Sequence, residues 1–145
     1  MLIPKGTHFM PVKKIAFATD LNISDMETIQ LLALLAGKLN AELLIVHVIT
    51  NREDRLLPHR IETFMKELKS KVTYNKIYYE NVYQSKIENG LNWLSSHGGS
   101  NILAVVHRRH NLKSDVLHNS HSQKMARHTN IPLMVIPEGY KGMLF

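Results

Sequence analysis

Asp20 closes an apolar run, and His107-Arg108-Arg109-His110 with Lys113 follows another; these are the residues whose types and places suit binding chemistry. A carboxylate at the end of a buried strand accepts hydrogen bonds, either from a ligand such as an adenosine or from loop amides and the next helix. Arginines grip phosphate through paired N–H donors, whereas the same run of cations also reads as a solvated loop. His118 and His121, with His110 or Asp115, are candidate zinc or nickel ligands, but the stretch lacks a fixed ligand spacing and no metal is assigned. His47 lies within an apolar strand, the setting of a hydrogen-bonded core histidine rather than a catalyst. The sequence shows no nucleophile paired with a base, no paired carboxylates and no phosphate-loop lysine, so the expectation is a protein that is not an enzyme.

The elements that must position these residues alternate between two periodicities. Lys13 to Asp20, Ala41 to Ile49, Ile102 to Val106 and Leu133 to Ile136 are continuous apolar runs, the pattern of strands buried on both faces. Val72 to Val82 is rich in Tyr, Ile and Val but interrupted by Asn75 and Lys76, which predicts an exposed edge strand. Between these runs, Met26, Ile29, Ala33, Ala36 and Leu39 recur at helical spacing, as do Leu57, Ile61, Phe64 and Leu68, and Ile87, Leu91 and Leu94. Ser24 with Glu27, Ser85 with Glu88 and Ser120 with Gln123 have the spacing of capping boxes, the last opening a fourth helix to about His128. Five strands separated by four helices predict an α/β domain with a doubly wound parallel sheet in order 3-2-1-4-5. In such sheets ligands bind beyond the carboxyl ends of the strands, where Asp20 and the stretch from His107 to Ser120 fall.

The totals narrow the class further. A chain of 145 residues that is 44% hydrophobic can bury a single core. Without cysteine it has no disulfide, thiol nucleophile or cysteine metal site, which suits a cytoplasmic location. The apolar runs are too short to span a bilayer, so no membrane association is expected. A net charge of +6 favours anionic partners without choosing among them, and the lack of aromatics interleaved with the cations argues against a nucleic-acid reader. Met1 to Gly6 echoes Met134 to Gly139, as would the last strand of a preceding copy or a simple N-terminal arm. The expected organisation is residues 1–11 as that arm or remnant, 12–138 as the domain and 139–145 as a tail.

From Lys13 to Pro137 the sequence resembles the universal stress protein family. The resemblance rests on Lys14 to Asp20, on Ala33 to Val48, on Asn101 to Val106, and on Ser120 to Ile136 with Arg127-His128. It implies that Asp20 lies at a nucleotide pocket. Members that bind ATP carry Gly-x2-Gly-x9-Gly and then Ser or Thr, because glycine lets backbone amides approach phosphate. Counted back from Ser120, those glycines fall on Val106, Arg109 and Asn119, so only Ser120 matches, and Ser120 also reads as a plain helix N-cap. The candidate ligand-binding set is therefore Asp20, Thr19, Val48, Val106, Arg108, Arg109, Asn119 and Ser120. The resemblance implies a non-catalytic stress-response domain with a degenerate ATP motif, pairing as a homodimer or tandem through the last strand from Pro132 to Pro137. The alternative is a sensor that holds AMP, ATP or another anionic metabolite between Asp20 and the basic stretch.

Overall fold

The computed structural model describes residues 11–97, 99–108 and 130–142, together with Ile3 and Lys5. In chain order the elements are β1 (Lys14–Thr19), α1 (Asp25–Leu39), β2 (Glu42–Ile49), α2 (Leu57–Lys71), β3 (Ile77–Tyr83), α3 (Ile87–His97), β4 (Ile102–His107) and β5 (Leu133–Pro137). All four strand pairings are parallel and the sheet order is β3-β2-β1-β4-β5, as the alternation predicts. Three helices occur among the described residues; the fourth, expected from Ser120, lies outside them. No helix among the described residues is long and apolar enough to cross a membrane.

Strand side chains alternate between faces, and that period of two sorts the core into two clusters. Ile15, Phe17, Leu43, Ile45 and Ala104 pack with Ile29 and Leu32 of α1 and Phe64 and Leu68 of α2. Ala16, Leu44, Val46 and Leu103 pack on the other face with Leu91 and Leu94 of α3. Phe17 and Phe64 are fully buried, and each such side chain stabilises the fold by about 1.5–3 kcal/mol relative to exposure. Gly90 is what lets α3 come down onto β2: a Cβ there would stand 2.6 Å from Cγ1 of Val48.

The helix ends depart from their expected chemistry. Ser24 precedes α1 but makes no side-chain cap; its hydroxyl donates to Glu138 Oε1 at 3.0 Å instead. Likewise the Ser85 hydroxyl accepts from Asn89 Nδ2 at 3.3 Å. At its C-terminus α1 is closed by Asn40 in the left-handed region, φ 53, with its N–H directed at the carbonyls of Ala36 and Gly37. Val72, placed by its sequence in the third strand, instead closes α2 and is buried, and β3 begins only at Ile77. The strand rule reads β-propensity locally, whereas Val72 is held by the α2 ladder through its N–H to the Leu68 carbonyl. Asn101 ties β4 to β1: its Oδ1 accepts the N–H groups of Lys13 and Lys14 at 2.6 and 2.9 Å.

Candidate functional site

From β1 the chain runs toward one side of the sheet, through β2 to β3, and from β4 toward the other, to β5. The carboxyl ends of β1 and β4 therefore flank the point where connections diverge, the usual ligand crevice of such sheets. Register brings the relevant residues there: Ala18 pairs with Val105, so Asp20 and Arg108 both lie just beyond. His107 pairs with Pro137, and the Glu138 N–H donates to the His107 carbonyl at 2.9 Å, setting Glu138 beside Arg108.

Arg108 turns into this crevice. It is 7% exposed and faces three carboxylates. Its Nη2 bonds Asp25 Oδ1, its Nη1 lies 3.3 Å from Asp20 Oδ2, and its Nε stands 3.5 Å from Glu138 Oε1. Nε is buried without a hydrogen bond, so the contact with Glu138 is an ion pair only. The guanidinium thus joins the β1–α1 turn, the first turn of α1 and the residue after β5.

Asp25 is the buried member of the group. Its Oδ2 accepts the Thr19 hydroxyl at 2.7 Å, and that hydroxyl oxygen accepts the Leu21 N–H at 3.0 Å. Burial pushes the Asp25 carboxyl up to about 6; the Thr19 hydroxyl and Arg108 counter this only in part, and Asp20 and Glu138 add to the rise. Asp20 is more exposed and orders its own turn, its Oδ1 accepting the Asn22 N–H at 3.2 Å while Leu21 takes φ 66. Arg60 Nη2 donates to the Asp20 carbonyl at 2.8 Å. On the other side of Thr19, His47 is buried and its Nδ1–H donates to the Thr19 carbonyl at 3.0 Å, as a core histidine should. Burial lowers its affinity for a second proton, the Thr19 bond opposing.

Of the expected site residues, Thr19, Asp20 and Arg108 meet in this crevice. Val48 and Val106 do not join them: Val48 packs on the α3 face and Val106 on the α1–α2 face. Arg109, Asn119 and Ser120 lie outside the described residues, as do Lys113, His110, Asp115, His118 and His121. Among the described residues no group of His, Asp or Glu is arranged to hold a metal ion. Sequence reasoning does not find Asp25 or Glu138. An acidic residue in the first turn of a helix is ordinary complementarity to its dipole, and a Glu after a strand-ending Pro carries no signal.

The backbone resembles known structures closely. No protein-family model matches the chain, and no curated protein matches it in sequence. A universal stress protein in complex with cAMP superposes with a TM-score of 0.67 at 15% identity, over 90% of this chain and 100% of that one. This chain has the universal stress protein fold. A universal stress protein from Archaeoglobus fulgidus in complex with dAMP gives 0.62 at 10% identity, covering 88% and 99%. Another, from Archaeoglobus fulgidus DSM 4304, gives 0.64 at 15% identity, covering 93% of this chain and 49% of that one. On the universal stress protein fold, the carboxyl-end crevice between β1 and β4 here contains an arginine locked among carboxylates. A guanidinium so engaged has one N–H of Nη1 directed at Asp20 and one of Nη2 at Asp25, and can offer those two to a phosphate only by leaving both.

Proposed function

We propose that this chain is a non-catalytic, cytoplasmic universal stress protein-like module that acts in the stress response by pairing with a second copy or another partner. Its ATP-holding motif is degenerate. The observation that carries this reading is the position of Arg108: buried between Asp20 and Asp25, it takes up the crevice beside the aspartate that marks the family's pocket. Three carboxylates around one guanidinium leave the crevice acidic, which repels a polyphosphate. Val106 stands where the family's motif has a glycine, and a non-glycine residue restricts the backbone conformations open to a phosphate cradle. Pairing is supported by β5, an edge strand bearing the half-buried Met134 and Val135.

Two measurements test this. Sedimentation at micromolar concentration is expected to give a dimer, and a monomer would overturn pairing. Calorimetry with ATP and AMP, with and without magnesium, is expected to give no binding at millimolar nucleotide; saturable binding would overturn the loss of the pocket.

The neighbours in complex with cAMP and dAMP favour a second reading, in which this chain senses AMP, ATP or another anionic metabolite through Asp20 and the basic stretch. It requires saturable nucleotide binding that weakens with salt and falls when Arg108 and Arg109 are replaced by alanine.

A further inference from the structure

We propose that Arg108 is an acid-sensitive latch, closed while Asp25 is charged and released when Asp25 takes up a proton, so that acid detaches the exit of β4 from the start of α1. The argument begins with unequal burial. The Arg108 and Asp25 side chains are 8% and 1% exposed, whereas those of Asp20 and Glu138 are 61% and 33% exposed. Pairs with the two exposed carboxylates are long and are screened by water and salt. The buried pair with Asp25 is therefore the one that holds the guanidinium out of water.

Removing the charge of Asp25 leaves a buried arginine without its buried counter-ion, a state from which a long, flexible side chain escapes to solvent. Nε, already without a hydrogen bond, adds only the long ion pair with the exposed Glu138. Protonated Asp25 is itself still accommodated, since Thr19 remains within hydrogen-bonding distance of Oδ2. Each element around Asp25 presents a charged or titratable group: Asp20 from the β1–α1 turn, Arg108 after β4 and Glu138 after β5. His47 of β2 contacts the backbone carbonyl of Thr19, and Arg60 of α2 contacts that of Asp20 and the Asp54 carboxylate. Burial above all, with the two nearby acids adding to it, makes protonation of Asp25 easier, so the change falls in mild acid rather than at the ordinary carboxyl range.

The experiment follows the Asp25 side-chain carboxyl carbon and the Arg108 Nε–H by NMR in the wild-type protein. The expected result is one shared transition with a midpoint at about 6. The exchange protection of the Arg108 Nε–H should fall at least about tenfold between about pH 7.5 and about pH 5. In Asp25→Asn the Arg108 signal should be in its acid form at every pH, and in His47→Gln the shared transition should stay where it is. An Arg108 Nε–H that keeps its protection at the lower pH would overturn the latch, as would an Arg108 transition that vanishes in His47→Gln. Should Asp25→Asn fail to fold, the wild-type titration decides alone.

Discussion

Arg108, the residue after β4, and Asp25, in the first turn of α1, are separated by eighty-three positions in the chain and form an ion pair with both side chains buried. Arg108→Met keeps the length of the side chain and removes its charge. With Asp25 left ionised, the loss is expected to be on the order of 3 kcal/mol at about pH 8. It should shrink in acid, because a protonated Asp25 no longer needs a counter-ion. Urea unfolding at the two pH values checks this, and an equal loss at both would contradict it.

Asp25 and His47 should bend the stability profile in opposite directions. Unfolded, Asp25 has the ordinary value of 3.8; folded, it is raised to about 6. Between those values the folded state holds the extra proton, so this contribution is fully present below 3.8 and is lost as pH rises through about 6. His47 is lowered from 6.5, so its contribution is present above 6.5 and is lost as pH falls through the lowered folded value. Denaturation of wild type, Asp25→Asn and His47→Gln across this range should show each variant losing its own slope.

Gly90→Ala tests the approach of α3 to β2. The new methyl group would overlap both methyls of Val48, at 2.6 and 2.7 Å, and Val48 is confined between strand and helix. The expected cost is about 1–3 kcal/mol despite the better helix propensity of alanine. A double variant with Val48→Ala should recover part of it; no recovery would show that the strain lies elsewhere.

Asn101→Ala should cost about 1–2 kcal/mol, since one side-chain oxygen serves two backbone donors at the start of β1. Hydrogen exchange of the Lys13 and Lys14 amides reads the effect directly, and both should accelerate together.

The glycine motif can be rebuilt as a test of the proposed function. Val106→Gly, Arg109→Gly and Asn119→Gly together should not create ATP binding while Arg108 remains among its carboxylates. Adding Arg108→Gly should produce weak, saturable binding, measured by calorimetry. Binding by the triple variant alone would mean that Arg108 is no obstacle.

The order of elements, the parallel sheet and the edge position of β3 were legible in the sequence, because each depends on local periodicity: apolar runs for strands buried on both faces, and apolar stripes for α1, α2 and α3. His47 was legible for the same reason, as a polar residue inside an apolar strand that must find a partner. The capping spacing of Ser24 marks the helix start but not a bond, because Glu138, brought back by β5, competes for the same hydroxyl. In the sequence Arg108 is one cation of a basic stretch, since sequence gives its charge but not its direction. Only the parallel register of β1, β4 and β5 puts Asp20, Arg108 and Glu138 at one end of the sheet, and only the start of α1 adds Asp25 beneath them. Periodicity is a property of neighbours along the chain, whereas the strength of a charge pair depends on burial and distance between segments far apart, which tertiary structure alone decides.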